Sequence, residues 1–205
     1  MTTIVLMRHG ETAWNRESRL QGWAPVPLND QGREQANSAA AYLNTDGITP
    51  DRVVSSDLVR TRETTTAVES TIDVSVQFDE AWRERDLGVY QGLPYETVAD
   101  RFPAFGLGEA GAKAADRIPD SGESLAQVSE RVVSGWQELL TASSPSETIL
   151  VVTHGGPIRL LIGHIEGLSI AESVLHNRAE NCSFTEIEYE DEAKIVRKNT
   201  TPWAE

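Results

Sequence analysis

A single cysteine, Cys182, stands in this chain of 205 residues, so no internal disulfide can form and the fold must hold without covalent staples. Nothing near it in sequence resembles an activating base, and its expected role is that of a small apolar core side chain. Long apolar runs are missing as well: no uncharged stretch approaches the roughly 18 residues that a membrane span requires. No basic stretch leads into an apolar segment at the amino terminus; a cytoplasmic protein that neither enters a membrane nor is exported is expected. The acceptor-like triplets Asn181-Cys182-Ser183 and Asn199-Thr200-Thr201 then carry no glycan. Lysine is scarce too. It occurs at 113, 194 and 198, so fifteen of the eighteen basic residues are arginines, set against 32 acidic residues.

The resulting net charge of −14 repels nucleic-acid backbones and anionic membranes, which excludes a polyanionic partner. Arginine in place of lysine on an acid-rich surface reads as a halophilic adaptation, because salt relieves the self-repulsion of uncompensated charge. No metal-ligand spacing, such as two histidines around a glutamate, is present, and there is neither an internal repeat nor a low-complexity tract. Gly106-Leu107-Gly108-Glu109-Ala110-Gly111 matches the dinucleotide fingerprint as written. The residues before it, Arg101-Phe102-Pro103-Ala104-Phe105, contain a proline and cannot be the central strand which that motif needs.

Two apolar runs carry the main signal. Ile4-Val5-Leu6-Met7 ends in Arg8-His9-Gly10, and Ile149-Leu150-Val151-Val152 leads through Thr153 into His154-Gly155-Gly156. Runs of this length, rich in branched residues and cut off by glycine, read as buried parallel strands. Ligands collect beyond the carboxyl ends of such strands, so both histidines are expected in one crevice.

The length suits one domain. The segment 11–28, with Gly22, Pro25 and Pro27, reads as an ordered loop beside the crevice. A helix over 32–43 follows, capped by Asn29 and closing before Asp46-Gly47; Val53-Val54 is a strand, and Ser55-Ser56-Asp57 offers caps for a helix over 58–69. Val74, Val76 and Phe78 alternate as a strand. The proline- and glycine-rich segment 93–122 reads as a cap over the crevice. Ser124 opens the longest helix, with Leu125, Val128, Val132, Trp136 and Leu139 on one face. A helix over 158–165, an antiparallel or edge strand at Phe184–Tyr189 and a frayed tail after Lys198 complete the chain. The fold class is therefore α/β, a three-layer α/β/α arrangement around a mostly parallel sheet, residues 1–205 forming one domain with the small cap inserted.

Two imidazoles beside arginines suit phosphoryl transfer, in which charge spreads over three equatorial oxygens and catalysis rests on positioned donors. One histidine serves as nucleophile while the other helps hold the anion. Arg8 adjoins His9, and Arg60 lies in the first turn after the Val53-Val54 strand; a guanidinium grips two phosphate oxygens in a fixed fork. Asn15, Gln21 and the Gly22 amide are candidate uncharged donors. Glu84 is the best-placed carboxylate to protonate a departing alcohol and then activate water, although Arg83 and Arg85 would favour its anion. His164 and His176 have no such company and belong to helix surface or packing. Trp14, Trp23, Trp136 and Trp203 belong to core or rim, with Trp23 close enough to line the pocket.

At these residues the chain resembles the histidine phosphatase superfamily, also called phosphoglycerate-mutase-like. The likeness spans nearly the whole chain: Arg8-His9-Gly10-Glu11-Thr12, extended through Trp14-Asn15, Gly22-Trp23 and Pro27-Leu28 to Gly32 and Glu34-Gln35-Ala36; Ser56-Asp57-Leu58-Val59-Arg60 with Thr64; Arg83-Glu84 with Gly88 and Gln91-Gly92; and Val152-Thr153-His154-Gly155-Gly156. The resemblance implies that His9 is phosphorylated, that Arg8, Arg60 and His154 bind the phosphoryl group with Gly155 beside them, that Glu84 donates the proton, and that neither metal nor cofactor is required. Trp82 stands where leucine is common, which would reshape the wall beside Glu84.

Three functions fit. A phosphomonoester phosphatase acting on a small phosphorylated metabolite is favoured. A cofactor-dependent phosphoglycerate mutase would need extra cationic contacts in the cap, and resembles this chain less: Arg101, Lys113 and Arg117 are scattered, and Gly156 stands where true mutases carry asparagine. A non-catalytic module that reads phosphorylated ligands would need neither His9 nor Glu84. The expected partner is a small phosphorylated metabolite, and a homodimer is compatible with the chain. From the charge balance, the urea midpoint of unfolding is expected to rise from low to multimolar KCl; equal midpoints would remove the salt-adaptation reading.

Overall fold

The computed structural model describes residues 1–45 and 48–204. One sheet runs through them in the order β3-β2-β4-β1-β5-β6, made of β1 (Thr2–Arg8), β2 (Arg52–Ser55), β3 (Ser75–Phe78), β4 (Thr148–Thr153), β5 (Phe184–Tyr189) and β6 (Ala193–Thr200). The strands β1 to β4 pair parallel with one another, while β5, antiparallel to β1, and β6 close one side. The helices are α1 (Ala13–Arg16), α2 (Asp30–Thr45), α3 (Val59–Glu69), α4 (Tyr95–Arg101), α5 (Glu109–Lys113), α6 (Leu125–Thr141), α7 (Gly155–Glu166) and α8 (Ile170–His176). None of the described helices is long and apolar enough to cross a membrane.

The unbroken apolar runs follow from burial on both faces of the sheet. Ile4 and Leu6, with Ile149 and Val151, point to a core shared with Val128, Val132 and Trp136 of α6 and Ile158, Leu161 and Ile162 of α7. Val5 and Met7, with Leu150 and Val152, point the other way, to Ala36, Ala39, Ala40 and Leu43 of α2 and Val68 of α3. Each such side chain contributes about 1.5–3 kcal/mol by leaving water. Cys182 belongs to the second core, and burial pushes its thiol up to about 12, as expected of an inert packing residue. His164 and His176 are exposed.

Ser124 and Gln127 form a reciprocal cap at the start of α6, and the Asn29 side chain accepts the Gly32 amide at 2.8 Å. Other boundaries differ from expectation. The loop 11–28 contains α1, capped by Thr12 with Asn15. None of Ser55, Ser56 or Asp57 is the N-cap of α3; Leu58 holds that position without a side-chain bond, because the two polar side chains nearest it are drawn elsewhere, Ser56 to His154 and Asp57 to Arg83. α7 begins at Gly155, a turn earlier than its first branched residues suggest. The tail is not frayed: β6 continues to Thr200, and the Trp203 indole donates to the Cys182 carbonyl at 2.8 Å. The Asp46-Gly47 stop lies outside the described residues.

Segment 93–122 carries α4, a 3-10 turn at Pro103–Phe105 and α5. It has a small core of its own, Val98 against Leu20 and Leu87 with Tyr90, Phe102 and Phe105 beside them. The 3-10 turn occupies the position at which a dinucleotide fingerprint requires a strand.

The loop after β1 is seated on α2 by close backbone approach. The Asn29 amide donates to the Glu11 carbonyl at 3.0 Å, and a methyl group at Gly32 would fall 2.0 Å from that same oxygen. Gly32→Ala is therefore expected to cost about 1–3 kcal/mol by overpacking, read as a lower urea midpoint at unchanged slope. An unchanged midpoint would show that the loop yields freely.

Candidate active site

Parallel pairing sets Arg8 opposite Thr153, so the next residues, His9 and His154, leave the sheet side by side. Their ring centroids are 5.2 Å apart, tilted by 59°, and the residues are 2% and 0% exposed. His9 Nδ1 lies 2.7 Å from the Gly10 carbonyl oxygen. A carbonyl only accepts, so the proton is assigned to Nδ1 and the lone pair to Nε2. Arg60 Nε donates to that Nε2 at 3.2 Å. Burial holds His9 well below the usual imidazole range; Arg60 and Arg8 push in the same direction, against the Gly10 carbonyl. His154 is lowered likewise, by burial first and Arg60 next. Its Nε2 meets Ser56 Oγ at 2.8 Å, while its Nδ1 is buried without a hydrogen-bond partner.

Arg60 is 1% exposed. Its fork donates to the Gly22 carbonyl at 2.8 Å and the Ala24 carbonyl at 3.4 Å. Burial lowers it to about 10, which leaves it charged at neutral pH. The helix beneath is threonine-rich, and Thr61, Thr64 and Thr65 return their hydroxyls to carbonyls one turn back. Thr64 also accepts the Gly10 amide at 3.1 Å, which ties the His9 loop to α3. Arg8 donates through Nη1 to the Ala179 carbonyl at 2.7 Å. Its Nε is buried without a partner.

Glu84 accepts from the Arg85 amide at 3.0 Å and from the Gly156 amide, in the first turn of α7, at 3.2 Å. Neither arginine flanking it in sequence forms an ion pair with its carboxylate, although the charges of Arg85 and Glu84 act on each other. Arg83 turns outward, bidentate to Asp57 at 2.6 and 2.5 Å, and lies over the Trp23 ring. Arg85 donates to the Glu123 and Arg117 carbonyls. Trp82 is buried in the α6 core and does not line the cavity, and Trp23 holds the Glu84 carbonyl through its indole at 2.6 Å rather than lining the cavity. A methyl group at Gly156 would fall 2.1 Å from Glu84 Oε1. Glycine there makes room for the carboxylate.

Arg8, His9, Arg60 and Glu84 share one cavity of about 110 Å³ with Asn15, Gln21, Gly22 and Gly155. His154 does not line it and stands behind His9. Asn15 spends its amide oxygen on the Thr12 amide at 3.1 Å, which leaves its NH2 for the cavity. The Gln21 oxygen meets the Thr12 hydroxyl at 3.0 Å. Gly22, at φ +51°, is in the left-handed region, and contributes its carbonyl to Arg60. Segment 93–122 supplies Tyr95, Gly106, Leu107 and Ala112 to the cavity. Among the described residues no group of three or more His, Cys, Asp or Glu side chains is placed to hold a metal ion.

Sequence reading missed four contributors. Ser56, a candidate helix cap from its neighbours, instead holds His154. Asn181 donates to the His9 carbonyl at 2.9 Å from the far end of the chain, with no local signal. Tyr95 reaches the cavity from the cap. Arg159 lines it from α7, and its spacing of four from Gly155 places both on one helix face.

The family model of the histidine phosphatase superfamily (branch 1) matches residues 4–201. A relative from Citrobacter koseri named probable phosphoglycerate mutase GpmB is 35% identical over 192 residues, 93% of this chain and 86% of that protein. Among solved structures, a mycobacterial glucosyl-3-phosphoglycerate phosphatase complexed with VO3 superposes with a TM-score of 0.83 at 28% identity, covering 97% of this chain and 99% of that one. Bacillus stearothermophilus YhfR superposes with 0.88 at 26% identity over 100% of both chains.

The depressed imidazoles carry a checkable sign. A lowered value means that the neutral ring persists to more acid pH than the free imidazole, whose midpoint lies near 6.5. In nitrogen-15 spectra assigned with His9→Ala, His9 is expected to keep Nδ1 protonated and Nε2 bare at pH 6. Protonation of both nitrogens at that pH would overturn the assignment.

Proposed function

The chain belongs to the histidine phosphatase superfamily, and from that premise we propose that it is a phosphomonoester phosphatase that works on small phosphorylated metabolites through a phosphohistidine at His9. The His9 Nε2 lone pair attacks phosphorus, and the bond from phosphorus to the ester oxygen breaks. Glu84 gives its carboxyl proton to the departing alkoxide. Water then attacks the phosphohistidine, passes a proton to the Glu84 carboxylate, and the phosphorus–nitrogen bond breaks to restore the lone pair. The positive charge that develops on the His9 ring during the first step is spread through Nδ1–H onto the Gly10 carbonyl. Arg8, Arg60 and the NH2 of Asn15 meet the equatorial oxygens, with His154 supporting from behind.

The observation that carries hydrolysis over transfer is the cap's lining. A mutase must retain a bisphosphate, yet the cap turns Tyr95, Gly106, Leu107 and Ala112 to the cavity and none of its cations. Lys113 pairs with Glu109 on the surface, and Arg101 lies over the Phe102 ring. A phosphoryl group on His9 is therefore left to water. The mutase reading draws support from the name of the Citrobacter koseri relative, and a binding module would not need an acid positioned by two amides.

Wild-type enzyme is expected to release phosphate steadily from p-nitrophenyl phosphate and not to convert 3- to 2-phosphoglycerate in the presence of the bisphosphate. His9→Ala should lose on the order of 10³-fold or more in kcat. Isomerisation without steady phosphate release would establish the mutase, binding without turnover the module, and undiminished turnover in His9→Ala would end the covalent route.

A further inference from the structure

Resting on that phosphatase reading, we infer that Arg159 is a specificity-determining residue whose guanidinium takes a carboxylate carried by the substrate, so that the preferred esters are phosphorylated carboxylic acids. Arg159 rises from α7 one turn after Gly155 and lines the cavity. Its Nη2 and the Nε of Arg8 come within 3.5 and 3.7 Å of the point where a methyl on Gly155 would sit. Two guanidinium groups thus flank one glycine. The Nε of each is buried without a hydrogen-bond partner, and among the described residues no acidic side chain forms an ion pair with Arg159. Glu84, the one carboxylate lining the cavity, is held by the amides of Arg85 and Gly156.

A buried donor left without an acceptor is costly, and a like-charged neighbour adds to the cost. Both are relieved by an anion. The phosphoryl dianion at His9 engages Arg8 and Arg60, which leaves Arg85 and Arg159 on the cavity wall; the Arg85 guanidinium is already held by the Glu123 and Arg117 carbonyls, so Arg159 is the guanidinium left for a further anionic group. The planar fork of arginine matches a carboxylate. Position separates the two subsites. Arg159 interacts with Arg8 and Tyr95, whereas the charges bearing on His9 are those of Arg60 and Arg8. Arg159 thus lies beside Gly155 and Arg8, while the hydrogen-bond partners of the His9 ring are Arg60 and Gly10. Leu107, Ala112 and Leu125 also line the cavity, and their exclusion of water strengthens an ion pair formed in it.

The test compares 3-phosphoglycerate with glycerol 3-phosphate, which replaces the carboxylate by a hydroxymethyl group, and with p-nitrophenyl phosphate, in wild type, Arg159→Gln and Arg159→Lys. Wild type should prefer 3-phosphoglycerate over glycerol 3-phosphate by about 10-fold or more in kcat/KM. Arg159→Gln should lose about 10- to 100-fold on 3-phosphoglycerate, the range of a charge-assisted hydrogen bond, and stay within about 3-fold on the other two, which also shows that it folds. Arg159→Lys should recover part of the loss, since it keeps the charge but not the fork. A fall on all three esters would place Arg159 on the phosphoryl group, and no change on any would make it structural; either overturns the inference while leaving the phosphatase reading intact. Wild type that hydrolyses none of the three would overturn the phosphatase reading itself, and this one with it.

Discussion

The register between β1 and β4, in which Met7 faces Val152 and Arg8 faces Thr153, is the constraint on which the chemistry depends. Side chains alternate along a strand, so a slip of one residue would turn His9 away from His154 and reverse which core each apolar residue enters. Slippage is opposed by packing. Ile4 and Leu6 are committed to the α6–α7 core and Val5 and Met7 to the α2–α3 core, and each wrongly placed residue forfeits its burial. The same apolar pattern that builds the sheet therefore sets the spacing of the two imidazoles, and no loop has to do so.

Around that pair the site is fastened chiefly by backbone groups. Arg60 is aimed by the Gly22 and Ala24 carbonyls, Arg8 by the Ala179 carbonyl, His9 by the Gly10 carbonyl and Glu84 by the Arg85 and Gly156 amides. Such partners aim a side chain without altering its charge, as a salt bridge would. Ion pairing is instead kept outside the cavity, where Arg83 is matched with Asp57 and Arg131 with Glu123. The buried arginines consequently keep an unspent charge for an incoming anion.

Features governed by local patterning were legible in the sequence. The two histidine-ended strands, the alanine face of α2, the stripe of α6 and the placement of Arg60 after β2 all follow from period, caps and glycine stops. Contacts that depend on distant chain meeting distant chain were not. Nothing near Ser56 says that it faces a histidine 98 residues away, and the alternative reading as a helix cap was equally consistent with its neighbours. Adjacency in sequence does not show where the guanidinium groups of Arg83 and Arg85 end, at Asp57 and at the Glu123 and Arg117 carbonyls. The tail looked frayed from its polarity, yet the Trp203 indole finds a carbonyl behind the active-site loop.

The charge balance of the whole molecule and that of the cavity have opposite signs, and this sharpens what the site can select. A chain of net charge −14 repels any phosphorylated metabolite at long range, a repulsion that falls off within a Debye length of about 8–10 Å at 0.1–0.15 M salt. Inside the cavity the neutral imidazoles add nothing to compensate Arg8 and Arg60, and the low dielectric there strengthens their pull at short range. Affinity must then come from groups met after entry. A ligand with one phosphate meets Arg8 and Arg60 alone, whereas one that reaches a further cation gains a second contact without any change in the field it crosses to get there. On the proposed assignment, selection among metabolites belongs to Arg159, while His9, Arg8 and Arg60, common to every ester, perform the chemistry.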